Sequence, residues 1–164
     1  MRSGAFNVLF LCTGNSARSI LAESYLNHVG AGDFRGYSAG SFPKGAVHPL
    51  SLATLHAEGI PVGDARSKSW DEFARDGSPQ MDLVITVCDN AAGEVCPFWP
   101  GAPLKAHWSF PDPAAFEGAD AEKRAYFAQV FADIRRAVDQ LAAFPVATMD
   151  AATLKRRVAE IGAH

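Results

Sequence analysis

Phe6-Asn7-Val8-Leu9-Phe10-Leu11-Cys12-Thr13-Gly14-Asn15-Ser16-Ala17-Arg18-Ser19 decides the fold of this chain. Phe6–Leu11 is a short, mostly apolar run of the kind buried on both sides in a parallel sheet. A helical pattern follows, with Ile20, Leu21, Ser24, Tyr25 and Val29 spaced to share one face. A cysteine therefore stands where a strand ends, a five-residue loop follows, and an arginine falls in the first turn of a helix. Backbone N–H groups converge at such a turn and the helix dipole adds positive potential, which suits a tetrahedral oxyanion. The same field favours a thiolate, so a depressed pKa is expected for Cys12. Arg18 adds a planar fork able to hold two oxygens at once. Thr13, Gly14, Asn15, Ser16, Ala17, Arg18 and Ser19 form the expected oxyanion cradle. Gly14 and Asn15 are types that tolerate left-handed backbone, and Ser16 or Ser19 could donate to the sulfur. The competing reading of Cys12, a small buried apolar residue at a strand end, would leave all these neighbours coincidental. No Gly-Lys-Ser/Thr follows the loop and no Gly-x-Gly-x-x-Gly is present, which excludes the common nucleotide loops.

Three further strands are expected at Phe34–Ala39, Leu83–Val87 and Leu104–Trp108. Helices are expected at Ser16–His28, His48–Glu58, Ala121–Ala143 and Ala151–Ile161. The third carries an apolar stripe of Phe127, Val130, Phe131, Ile134, Val138 and Leu141. Alternation of this kind gives an α/β fold, three layers with a four-stranded parallel sheet flanked by helices, and ligands at the carboxyl ends of the strands. Residues 1–164 read as one domain, with a core of about 5–144 and a C-terminal helical extension of about 150–161. Phe144–Thr148 merely joins two helices.

The balance of 15 Lys and Arg against 18 Asp and Glu gives a net charge of −3, which argues against a broad nucleic-acid or membrane-binding surface. No apolar run is long enough to span a bilayer, and nothing at the N-terminus resembles a signal peptide. An odd cysteine count, three, argues against a secreted disulfide framework, so a reducing cytoplasm is expected.

Cys88 ends the third strand and points to the same sheet edge as Cys12, with Cys96 eight residues further on. Were the intervening segment helical, their Cα atoms would lie about 12 Å apart. A disulfide needs roughly 7 Å or less, so bonding would require that segment to unwind. Two unrelated buried thiols, a zinc site with His107, and a redox pair are the three readings. The nucleophile at Cys12, which a second thiol could resolve, favours the last. Asp112, just past the fourth strand, is either a solvated Asp-Pro turn residue or a general acid on the active edge. Its position favours the acid. His107 is left without a role.

Taken together, these motifs resemble the low-molecular-weight protein tyrosine phosphatase superfamily, and more closely its arsenate reductase branch. The resemblance runs from about Val8 through Pro113, with helical continuation to Phe144. It is carried by Cys12–Ser19, Tyr37-Ser38-Ala39-Gly40, Cys88-Asp89 with Cys96-Pro97, and His107-Trp108 with Asp112-Pro113. The cysteine pair, and Ala114-Ala115-Phe116 where phosphatases carry tyrosine, separate the reductase branch from the phosphatases. The resemblance implies a low-molecular-weight phosphatase-like fold and reduction of arsenate to arsenite, an arsenic detoxification activity. Phosphate and sulfate would bind as mimics. Cys12 would be nucleophile, Arg18 the oxyanion clamp, Asp112 the general acid, and Cys88 with Cys96 the relay to an external thiol. That reductant would be thioredoxin, or glutaredoxin with glutathione, and no tightly bound cofactor is implied. Some members bind potassium; the matching positions are Asn15, Glu23, Ser38 and Asp71. Ala17 stands where some members have a further cysteine. Two rival functions share the loop: a tyrosine or phosphomonoester phosphatase working through a Cys12 phospho-enzyme, and a non-enzymatic oxyanion-binding module.

Overall fold

A computed structural model describes residues 5–63, 65–88 and 103–162. Four strands, β1 (Phe6–Leu11), β2 (Phe34–Ala39), β3 (Leu83–Thr86) and β4 (Leu104–His107), form one parallel sheet in the order β2-β1-β3-β4. The register aligns Leu11 with both Ala39 and Thr86, and Thr86 with His107. The carboxyl ends of all four strands are thus level, and the loops that leave them meet on one edge. Among the described residues the helices are α1 (Arg18–Val29), α2 (Pro49–Ala57), α3 (Asp120–Ala142) and α4 (Ala151–Gly162).

Alternation along the strands sorts the core into two layers. Phe6, Val8, Phe10, Leu83 and Ile85 pack with buried residues of all four helices. On the opposite face Leu9, Leu11 and Val84 pack with Phe73 and Met81, around the one-turn 3-10 helix Trp70–Phe73. Central strands are apolar on both faces, which is why the β1 and β3 runs read so plainly as strands. In the edge strand β4, Lys105 and His107 are exposed while Leu104 and Ala106 are partly buried, and a lysine there discourages further strand pairing.

Two expectations need correction. Helix α1 is not one-sided: Ser19 through Leu26 are all buried, whereas Val29, expected on the inner face, is exposed. The helix lies between the sheet and α3, where Tyr25 and Phe131 pack edge-on at 5.7 Å and the Tyr25 hydroxyl donates to Asp139 at 2.6 Å. The helix also starts two residues later than expected, at Arg18, so Ser16 and Ala17 belong to the loop.

Candidate active site

The loop from Cys12 to Ala17 carries the chain from β1 into α1. Asn15 supplies its left-handed residue, with φ 46°. The Asn15 amide locks that turn from both ends, donating to Ser19 Oγ at 2.8 Å and accepting from Lys68 N at 2.9 Å. Gly14 is not left-handed; the stem of Lys44 lies on it, with Cε 3.2 Å from where a Cβ would stand. Gly40 serves the loop differently. A Cβ there would fall 2.4 Å from the Thr13 carbonyl oxygen and 2.6 Å from that of Cys12, so only glycine lets β2 come this close. Ala17 caps α1 without a side-chain acceptor, which leaves first-turn N–H groups to a ligand.

The loop floors a pocket of about 240 Å³ lined by Cys12 through Arg18 with Phe42, Lys44 and Asp112. Arg18 Nη1 donates to the Phe110 carbonyl at 3.0 Å, and Nη2 lies 3.7 Å from Asp112 Oδ2. Its Nε is buried with no partner among the described residues, a donor of the kind an oxyanion satisfies. Asp112 is half exposed, so its ion pair with Arg18 is worth no more than about 1 kcal/mol and an entering dianion can replace it. Both sequence readings of Asp112 describe its geometry. It caps a short turn, Oδ1 accepting from Ala114 N at 3.0 Å, and it also faces the loop.

Cys88 meets Cys12 across β1 and β3. Val87 N donates to the Leu11 carbonyl at 2.8 Å, which sets Cys88 beside the loop. There its sulfur accepts from Thr13 N at 3.4 Å, with Thr13 Oγ1 3.8 Å away. Both cysteines are buried thiols. The neighbouring Cys88 thiol, and then burial, push the Cys12 thiol well above its ordinary value, against the opposing pull of Arg18. The direction is thus opposite to the expected depression, with the second thiol its largest cause. Cys96 falls among residues 89–102, outside the described residues. His107 Nδ1 pairs with the Thr86 hydroxyl at 2.7 Å, one strand over from the loop.

Three of the four expected potassium ligands come together behind the loop. The Ser38 hydroxyl donates to Glu23 Oε1, and Asn15 is tied to the same corner through the Lys68 backbone. The cation facing Glu23 is a side chain: Lys68 Nζ stands 3.9 Å from Oε1 and donates to the Arg66 carbonyl at 2.7 Å. Burial lowers the Lys68 pKa, and the Glu23 charge opposes that shift. Asp71, by contrast, is exposed at the start of the 3-10 turn. With an ammonium already facing the carboxylate, the donor set does not call for a second cation. Lys44, Lys68 and the Thr13–Cys88 contact went unnoticed in the sequence. Each depends on tertiary approach.

This geometry is that of a cysteine-based oxyanion site at the edge of a parallel sheet, and comparison with known proteins agrees. The profile of the family described as "Low molecular weight phosphotyrosine protein phosphatase" matches residues 7–159, and the chain belongs to that family. Among its relatives is an arsenate reductase of Halalkalibacterium halodurans, 36% identical over 135 residues that make up 82% of this chain and 94% of the relative. A solved arsenate reductase in its oxidized state superposes with a TM-score of 0.68 at 26% identity, covering 84% of this chain and 97% of that one. A thioredoxin-dependent arsenate reductase of Corynebacterium glutamicum gives 0.56 at 26% identity, covering 85% of this chain but 64% of the larger protein.

Proposed function

We propose that the protein is an arsenate reductase that uses Cys12, Cys88 and Cys96 in sequence. The observation that carries this reading is that the Cys88 sulfur accepts from Thr13 N at 3.4 Å, which sets a second buried thiol beside Cys12 at the floor of an oxyanion loop. A phosphatase would give Cys88 no task. The similarity to arsenate reductases over most of the chain points the same way.

Arsenate enters against the loop amides and the Arg18 fork, replacing the weak Arg18–Asp112 pair. The dianion is itself a base and takes the proton of the Cys12 thiol. The Cys12 thiolate then attacks arsenic, and one oxygen leaves as water, its second proton being the one taken from Cys12 and passed on by way of Asp112. Cys88 attacks the Cys12 sulfur; the S–As bond breaks, its electron pair stays on arsenic, and arsenite departs. This leaves a Cys12–Cys88 disulfide. Cys96 attacks Cys88, which returns Cys12 as a thiolate and passes the disulfide to Cys88–Cys96. An external dithiol supplies two electrons and closes the cycle. The thioredoxin dependence of the C. glutamicum relative supports thioredoxin as that reductant, with glutaredoxin and glutathione the alternative. Such a cycle needs a reducing compartment, so the proposed location is the cytoplasm. Among the described residues no helix is long and apolar enough to cross a membrane.

The test is arsenate-dependent NADPH oxidation, with the thioredoxin and glutaredoxin systems supplied separately and arsenite measured as product. Turnover with either system supports the reading. No arsenite with both, together with steady hydrolysis of an aryl phosphate, would replace it with the phosphatase.

A further inference from the structure

We propose that Lys44 is a second cation of the oxyanion pocket, a specificity residue that raises affinity for a free, doubly charged oxyanion. The inference rests on the loop's reading as an oxyanion site and is independent of whether arsenate is reduced.

Lys44 is exposed, yet its position is fixed. Its backbone N–H donates to the Gly14 carbonyl at 3.0 Å, and Phe42 N donates to that of Thr13 at 3.0 Å, so this segment runs along the loop as a strap. The Ser67 hydroxyl fastens the far side, accepting from Gly45 N at 3.1 Å and donating to the Gly14 carbonyl at 3.3 Å. The lysine stem lies on Gly14, with Cγ, Cδ and Cε 3.2 to 3.5 Å from where that residue's Cβ would stand. A side chain at position 14 would crowd the stem, which would have to give by a few tenths of an ångström. The ammonium is thereby carried over the loop, where Lys44 lines the same pocket as Cys12, Arg18 and Asp112. Its field also reaches His48, whose pKa is lowered by burial first and by Lys44 second.

The charge balance gives Lys44 its effect. With Cys12 held as a thiol, the pocket is lined by two cations, Arg18 and Lys44, and one carboxylate, Asp112. Without Lys44 the lining is formally neutral, and a dianion would rely on loop amides and Arg18 alone. A flexible point charge at the mouth attracts any oxyanion charge without imposing the fixed geometry that the Arg18 fork imposes.

Calorimetric titration with inorganic phosphate tests this directly in the wild-type protein, Lys44→Met and Lys44→Arg. Methionine keeps an unbranched stem on Gly14 and removes only the charge. The expected result is phosphate affinity about tenfold weaker for Lys44→Met at low ionic strength, a gap that narrows in high salt, and recovery in Lys44→Arg. In arsenate turnover the loss should fall on KM rather than kcat. Unchanged phosphate affinity in Lys44→Met would overturn the proposal. So would a loss that salt does not narrow or that arginine does not recover, since either marks a packing defect. Phosphate binding involves no reduction, so a wild type that reduces no arsenate but loses phosphate affinity in Lys44→Met would refute the proposed function alone.

Discussion

The backbone N–H of Thr13 donates to the sulfur of Cys88 at 3.4 Å, although the two residues are 75 positions apart. The residue that follows Cys12, the proposed nucleophile, thus holds the thiol proposed to resolve it. The contact exists because β1 and β3 are adjacent and in register, Leu11 against Thr86, so that each strand delivers its cysteine to the same corner. In the proposed relay, resolution of a Cys12 adduct then needs little motion of Cys88.

Removing Cys88 should make Cys12 more reactive at low pH. The Cys12 pKa is raised chiefly by the neighbouring Cys88 thiol, then by burial, and lowered by Arg18. Cys88→Ala deletes the largest upward cause, so the midpoint of Cys12 alkylation should move to lower pH. One pKa unit is tenfold in thiolate population, so iodoacetamide labelling at neutral pH should quicken by roughly tenfold or more. Peptide mapping assigns the label to Cys12. An unchanged or higher midpoint would show that the Cys88 thiol is not what raises it.

Asp112→Asn separates the two tasks of that side chain. Asparagine keeps an acceptor for Ala114 N and so preserves the cap, while losing the transferable proton. Turnover should fall by roughly 100-fold or more, with phosphate affinity unchanged or improved because Arg18 loses a competitor. Equal losses in binding and turnover would point to a displaced loop instead. Arg18→Lys should do the reverse, weakening oxyanion binding on the order of tenfold, since an ammonium cannot supply the fork.

The central strands β1 and β3 were legible in the sequence because they are largely apolar runs, and the edge strand β2 because Gly32 and Gly40 bound it; Phe6–Leu11 and Phe34–Ala39 appear with the expected ends. The loop was legible because chemistry restricts its residues: Asn15 is left-handed as its type suggests, and Arg18 opens the helix. What escaped depends on approach between distant segments. Local reasoning gave Cys12 the field of a helix terminus and so a low pKa; the opposite direction comes from a thiol 76 positions away, which no local pattern encodes. Gly14 looked like a backbone requirement and is instead clearance for Lys44. Val29 kept the spacing of the inner face of α1 but is its last residue and is exposed.

Lys68→Met should convert a self-contained corner into one that responds to potassium. The ammonium of Lys68 faces Glu23 at 3.9 Å with both side chains buried, and removing one partner strands the other's charge. Oxyanion affinity should fall because the stranded Glu23 charge lies in the corner that holds Asn15, although the Lys68 backbone N–H to Asn15 itself remains. Potassium chloride should restore part of it where sodium chloride of equal strength does less, while wild type shows no preference between the two salts. Phosphate titrations in each salt decide this. A variant with wild-type affinity in both salts would show that the buried charge is not needed.

The relay makes its sharpest claim on Cys88 and Cys96, because it gives the two thiols different tasks. Cys88→Ser should stop arsenite release after the first adduct, since nothing attacks the Cys12 sulfur. Cys96→Ser should release one equivalent of arsenite and then stall as a Cys12–Cys88 disulfide, a bond between two thiols that β1 and β3 bring to one corner. Wild type oxidised by one equivalent of arsenate should carry Cys88–Cys96 instead. Mass spectrometry of non-reduced digests reads each bond. Glutathione may not be substituted silently for a protein dithiol here: if it rescues Cys96→Ser alone, the small thiol has taken the place of Cys96 and the roles of Cys12 and Cys88 are unaltered. Full multiple turnover in both variants with every reductant would remove the relay, and the pairing of Cys12 with Cys88 would then be a feature of packing in an oxyanion site that works by hydrolysis.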